Sequence, residues 1–136
     1  MYLITVYGIP KAQPRPKAFR TKTHVSVYNP KTADDWKDAV KAAVIQQEPG
    51  IVGTKKEGPV ELSIRFNMPR SKSMNQKGWK QDTRKPDVDN LIKAVMDSLT
   101  NIEVWKDDSQ VTILRAEKWI CTQGHEPGAI IGITWI

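Results

Sequence analysis

Alternation of apolar and polar positions is clearest over residues 59–69, PVELSIRFNMP, where Val60, Leu62, Ile64, Phe66 and Met68 share one parity. Period two is the period of a strand, so one face of this segment belongs to a core. The other face, with Glu61, Ser63, Arg65 and Asn67, is wet or lines a site. YLITVYGI (2–9) is rich in β-branched and aromatic residues and is ended by Pro10, which predicts a second strand. VSVY (25–28) predicts a short one. A further strand is expected from about Val111, and the C-terminal run GAIIGITWI suits a buried strand.

Two segments follow the helical period instead. In NPKTADDWKDAVKAAVIQQ, Trp36, Val40, Ala43, Val44 and Gln47 fall on one side, Asn29 or Thr32 can cap the start, and Pro49 with Gly50 stops it. In RKPDVDNLIKAVMDSL (84–99), Pro86 opens a helix whose stripe is Val88, Leu91, Ile92, Val95 and Leu99. Residues 10–24, PKAQPRPKAFRTKTH, hold three prolines and read as an exposed basic loop. Residues 70–85 lack periodicity and read as a long mobile loop, a length that tends to be functional or disordered. Strands and helices mixed without strict alternation predict an α+β (mixed α/β) fold. The expectation is one small domain over residues 1–136, with four or five strands in a mixed sheet and two main helices on one face.

Composition narrows the function. The 136 residues carry 39% hydrophobic side chains, enough for one modest core. No apolar run approaches the roughly 20 residues of a membrane span, and the N-terminus lacks the order of a signal peptide, so the chain is expected to be soluble and cytoplasmic, with no membrane partner. One cysteine, Cys121, and two histidines, His24 and His125, make no zinc constellation, so any metal would be held by oxygen. There is no phosphate-cradling glycine motif, hence no nucleotide cofactor. The formal charge of +6 favours an anionic partner, most simply nucleic acid. The excess sits in two segments. Lys11, Arg15, Lys17, Arg20 and Lys22 come without an acid, and Arg70, Lys72, Lys77, Lys80, Arg84 and Lys85 surround one, Asp82.

Into this basic setting Asp87 and Asp89 bring two carboxylates at a helix start. Residues 89, 93 and 97 lie at i, i+4 and i+8, so Asp89, Lys93 and Asp97 share one side of that helix. Such acids have two explanations. Aspartate at the first turn caps a helix and suits its dipole; two carboxylates held close also repel each other unless a divalent cation lies between them. Asp107 and Asp108 add a later acidic point that an ordinary turn would equally explain. An EF-hand beginning at Asp87 is excluded, because Ile92 and Ser98 stand where it needs glycine and glutamate.

Taken together, KPDVDNLIKAVMDSL, the downstream VWKDDSQV and the N-terminal GIPKAQPRPK resemble the RusA family of Holliday junction resolvases. The resemblance implies a homodimeric endonuclease of bacterial or phage origin that cuts four-way junction DNA by paired symmetric nicks. It implies that Asp87, Asp89 and Asp108 hold Mg²⁺, with Mn²⁺ as a substitute, and that Lys93 assists catalysis. Asp97 and Asp107 would support them, through helix-side hydrogen bonds and turn geometry. A carboxylate-held ion suits phosphodiester hydrolysis because it activates water and neutralises phosphate charge. The basic segments (Lys11, Arg15, Lys17, Arg20; Arg70, Lys72, Lys77, Lys80, Arg84, Lys85) would meet other phosphates. Phe19 and Trp79 would either stack on bases or anchor their loops. A non-catalytic DNA-binding protein on the same fold, and a general metal nuclease for other branched DNA, are the competing readings.

Overall fold

The computed structural model describes residues 1–28, 31–74 and 77–136, apart from the side chains of Lys17, Phe19 and Tyr28. Seven strands and two α-helices follow in the order β1 (Tyr2–Tyr7), β2 (Lys17–Arg20), β3 (Val25–Tyr28), α1 (Asp34–Gln47), β4 (Val60–Met68), β5 (Lys80–Gln81), α2 (Val88–Asn101), β6 (Val111–Ile120) and β7 (Gly128–Trp135). Five of the strands form one mixed sheet in the order β1-β7-β4-β6-β5, and β2 with β3 makes a separate hairpin. β4 and β6 run parallel as neighbours, and the other pairings are antiparallel. A parallel pair needs a long crossover, and α2 lies within the one that joins β4 to β6.

The alternation in β4 is realised residue by residue, buried at Val60, Leu62, Ile64, Phe66 and Met68 and half-buried between. Those side chains meet Trp36, Val40 and Val44 of α1 and Leu91, Val95 and Leu99 of α2 in one cluster. β7, between β1 and β4, contributes Ala129, Ile131 and Ile133. Val88, expected in the α2 stripe, is 38% exposed, because it stands in the first turn before the helix meets the sheet. Gln47 is also exposed and has another use. Its amide accepts from Thr5 N (2.9 Å) and donates to Thr5 O (2.7 Å), pairing the outer edge of β1 as a strand would.

Two other expectations change. The N-cap of α1 is Ala33, without a side-chain bond, rather than Thr32, and Asn29 lies outside the described residues. The basic stretch 10–24 includes β2, paired from Lys17 to Arg20 with Tyr28 to Val25, since its prolines all precede that strand.

The part of the segment 70–85 from Lys80 onward is tied down instead of loose. β5 pairs with β6 at Ile120 and Trp119, and Asp82 N extends the ladder to Lys118 O (2.8 Å). The Asp82 side chain, 1% exposed, accepts from Arg84 N, Nε and Nη2 at 2.9, 2.9 and 3.0 Å. Arg84 Nη2 also donates to Pro69 O (3.0 Å). Burial pushes the Asp82 carboxyl up, but the Arg84 hydrogen bonds and charge outweigh it, leaving it below the ordinary carboxylate value. Lys118 adds a second tie, donating its ammonium to Arg84 O and, at 2.7 Å, to Pro86 O. These contacts fix the chain as it enters α2.

Asp82→Asn should therefore lower unfolding stability by about 1–2 kcal/mol, the lower part of the range for charged hydrogen bonds, because the Arg84 head is 38% exposed. A depressed carboxylate contributes stability above its unfolded pKa and loses it as pH falls through the folded one. Urea unfolding of both proteins should accordingly show a full gap above about pH 4 that closes in more acid solution; a gap indifferent to pH would refute the ion pair's role. Lys118→Met should cost about 2–3 kcal/mol in the same assay, since it leaves two carbonyls without their charged donor.

Candidate active site

Asp87 occupies the N-cap position of α2 with an extended backbone (φ −67°, ψ 144°), yet its carboxylate makes no capping bond. Lys85 takes it instead, Nζ donating to Oδ1 at 2.8 Å. That hydrogen bond and the Lys85 charge hold Asp87 below the ordinary carboxylate range, and Lys118 and Arg15 reinforce them. Arg15 comes within reach because the β1–β2 connection lies against the start of α2, where Gln13 N donates to Asn90 O (3.0 Å) and Lys37 Nζ to Gln13 Oε1 (3.0 Å). Asp89, in the first turn, is exposed and has no ion-pair partner among the described residues. The positive end of the helix dipole favours both acids there. Asp82, Asp87, Asp89, Glu117 and Lys118 line one open recess of about 620 Å³ beside the helix start.

Farther along α2 lies a second acidic group. Val104 and Trp105 are buried, and Trp105 Nε1 donates to Thr100 Oγ1 (2.8 Å), pinning the following turn to the end of the helix. The turn Asp108–Gln110 is wound around the Gln110 side chain, which accepts from Lys106 N (2.9 Å) and Asp107 N (3.0 Å). The same side chain donates to Lys56 O (2.8 Å) and Gly58 O (2.9 Å). Glutamine in the D-D-S-Q-V stretch is thus a structural clamp. The hydroxyl of Ser109 donates to Asp107 Oδ2 (2.9 Å) and leads the influences that keep Asp107 low. Asp108 moves the other way. Burial, then its neighbours Asp107 and Asp97, push its carboxyl above the ordinary value, and Lys93 opposes them.

The structure thus brings Asp108 together with Lys93 and Asp97, and Asp87 with Asp89. Among the described residues no three His, Cys, Asp or Glu side chains gather into one metal-holding cluster. The donor chemistry nevertheless suits a hard cation. Every candidate ligand is a carboxylate oxygen, Asp87 already draws cationic side chains, and Asp108 has the negative neighbours Asp107 and Asp97, opposed by Lys93. Mg²⁺ is commonly held by only one or two carboxylates together with waters and substrate phosphate, so the residues present fit it. Cys121 is buried, with burial pushing its thiol up, and is no ligand for such an ion.

Several cations proposed to meet DNA are engaged within the chain. Arg84 lies on Asp82, Lys85 on Asp87, and Lys11 on Asp35 at 2.6 Å, while Arg70 Nη1 donates to Met74 O (2.7 Å). Arg15, Arg20, Lys72, Lys77 and Lys80 are exposed. The side chains of Lys17 and Phe19 lie outside the described residues. The Trp79 ring packs on the Arg65 guanidinium (4.9 Å) and edge-on to His125 (5.2 Å), which anchors its loop to the sheet. Sequence reasoning missed Asp82 and Lys118. The signals were present: Asp82 is the one acid in a basic run, and Lys118 falls at the same parity of β6 as Ala116, which packs against the core.

Comparison with known proteins gives this geometry its relatives. The family model Endodeoxyribonuclease RusA matches residues 8–134. The uncharacterized protein YqaN of Bacillus subtilis (strain 168) is 35% identical over 124 residues, 85% of this chain and 84% of that protein. The crossover junction endodeoxyribonuclease RusA of Escherichia coli (strain K12) is 32% identical over 105 residues, covering 77% of this chain and 72% of its own. The crossover junction endodeoxyribonuclease of Lactococcus phage r1t is 26% identical over 110 residues, 81% and 80% of the two chains. With a family match over residues 8–134 and a 32% identical family relative covered over 72% of its own length, the chain belongs to the RusA family of endodeoxyribonucleases.

Proposed function

We propose that the protein resolves four-way DNA junctions as a homodimer, nicking two like strands symmetrically with a divalent cation, Mg²⁺ in the first instance and Mn²⁺ as a substitute. The observation that carries this reading is Asp87, a carboxylate at a helix N-cap that makes no capping hydrogen bond and is met by cationic side chains. Capping would have used it; ion binding requires it free of the backbone.

Asp87, Asp89 and Asp108 are the carboxylates assigned to the ion. When bound, it would supply an activated water and positive charge against the phosphate. Lys93, one helical turn from Asp89 and within electrostatic reach of Asp108, is assigned to charge developing on the phosphate in the transition state. Lys85 and Arg15, beside Asp87, would exchange a carboxylate for a DNA phosphate as the substrate enters. Arg20, Lys72, Lys77 and Lys80 hold the flanking duplex. A chain this small carries one such site, and paired cleavage needs two related by a two-fold axis.

Labelled four-way junction incubated in Mg²⁺ tests the reading: paired nicks at symmetric positions are expected, and binding without cleavage would mark a non-catalytic DNA-binding protein. Asp89→Asn should reduce cutting by about 100-fold or more while junction affinity holds or rises, because a negative charge facing phosphate is gone. Normal cutting by that variant would refute the site assignment. Neutralising Lys72 and Lys77 together should flatten the dependence of log affinity on log salt by about 0.9 for each phosphate no longer neutralised, measured by filter binding over a salt series.

A further inference from the structure

Residues 1–33 contain no Asp or Glu, yet they carry Lys11, Arg15, Lys17, Arg20, Lys22 and Lys31. The middle of this acid-free stretch builds the β2–β3 hairpin, which among the described residues pairs with no strand of the five-stranded sheet. None of its described side chains belongs to the hydrophobic cluster. A two-stranded hairpin without further cover is marginally stable in water.

Its register sets Ala18 opposite Val27 and Arg20 opposite Val25, so these four share one face. All four are exposed, Val25 at 56% and Val27 at 66%. The tip is drawn tight. Thr21 N donates to His24 O (2.8 Å), the Thr21 hydroxyl donates to the same carbonyl (3.0 Å), and His24 N donates to Thr21 Oγ1 (3.2 Å). At the other end Gln13 N, bonded to Asn90 O, ties the approach to β2 against the start of α2, and the charge of Arg15 reaches Asp87. The hairpin therefore springs from beside the catalytic acids. Four residues at about 3.4 Å each carry its tip about 14 Å from that root.

We propose that this hairpin is an arm that enters the major groove of the duplex next to the cut, with Ala18, Val25 and Val27 against base edges. Arg20 and Lys22 meet the flanking phosphates. Charge selects the occupant, since an acid-free ribbon rich in lysine and arginine is attracted to a polyanion. Shape selects the groove: the major groove, about 12 Å wide, admits a two-stranded ribbon, and the minor groove, about 6 Å wide, is too narrow for one. Small aliphatic side chains suit its floor, where thymine methyl groups offer apolar contact. Covering the valines supplies the packing that the free hairpin lacks. A reach of about 14 Å spans about four base pairs at 3.4 Å each, which limits the contact to the neighbourhood of the cut phosphate. The inference rests on the junction-cleaving reading above and adds to it a groove and a distance.

Thr23→Cys, at the tip, provides the test. Its thiolate exchanges with a mixed disulfide carried on a base tether, forming the protein–DNA disulfide and releasing the small thiol. With the tether on cytosine N4, in the major groove within about four base pairs of the cut, linkage should be about tenfold or more faster than with the tether on guanine N2, in the minor groove. Ile45→Cys, an exposed control on α1, should link no faster than the minor-groove case. The native chain, whose only thiol is buried, should not react. Replacing Val25 and Val27 together by threonine, which keeps their β-branched shape, should weaken junction binding about fivefold. The slope of log affinity against log salt should stay the same, because no charge is removed. Equal linkage from both grooves, linkage that ignores distance from the cut, disulfide pairing of Thr23→Cys with a second copy in the presence of junction, or undiminished affinity in the threonine variant overturns the arm and leaves junction cleavage standing. A native chain that neither binds nor cuts the junction overturns both.

Discussion

Asp82 and Lys118 fix where α2 begins, and the rest of the candidate site depends on that. The crossover from β4 to α2 is long, basic and without periodicity, so nothing in its own local structure would place a helix N-terminus to within an ångström. A buried carboxylate hydrogen-bonded to Arg84 on its own strand extension, and an ammonium shared between two carbonyls, do so from the sheet side. A buried ion pair of this sort is weak evidence for net stability, since desolvation offsets most of the attraction. Its value here is positional. With the entry held, Asp87 and Asp89 emerge over the recess beside β6 rather than at the end of a free loop.

Electrostatics then divides the carboxylates by environment. At the helix start, cations surround Asp87 and keep it ionised; at the later turn, burial and neighbouring acids press Asp108 toward its neutral form. Lys93 lies along the helix between them, moderating the second group. The free protein thus balances its acids with its own lysines and arginines. On the proposed function, a phosphate brought into the recess would compete for those cations and a divalent ion for the acids they leave, so that each would compensate a charge that the other exposes.

Much of this was legible in the sequence where a periodic pattern met a packing surface. β4 alternates over nine residues and α2 keeps one stripe, and both formed as read. Legibility failed where tertiary contacts override local signals. β2 is four residues inside a proline-rich basic stretch, paired with β3, and β5 is two residues paired with β6. Val88 looked like the first core residue of α2 but precedes the point of helix–sheet contact. Asp82 and Lys118 had no local signal of their roles, because the partners that engage them come from the folded chain. For the site, the letters supplied the acids and their helix side; only the fold could separate Asp87 from its cap and set Asp108 against Asp97.

The central claim is that Asp87 and Asp89 are kept for a cation rather than for the helix. Titrating Mn²⁺ into the native protein and into Asp87→Asn, followed by the loss of free-ion paramagnetic resonance signal, addresses it directly. The account predicts binding by the native protein that is largely lost in the variant, with circular dichroism and melting temperature little changed because the side chain caps nothing. Equal Mn²⁺ binding by both proteins, or a variant that melts well below the native one, would contradict it.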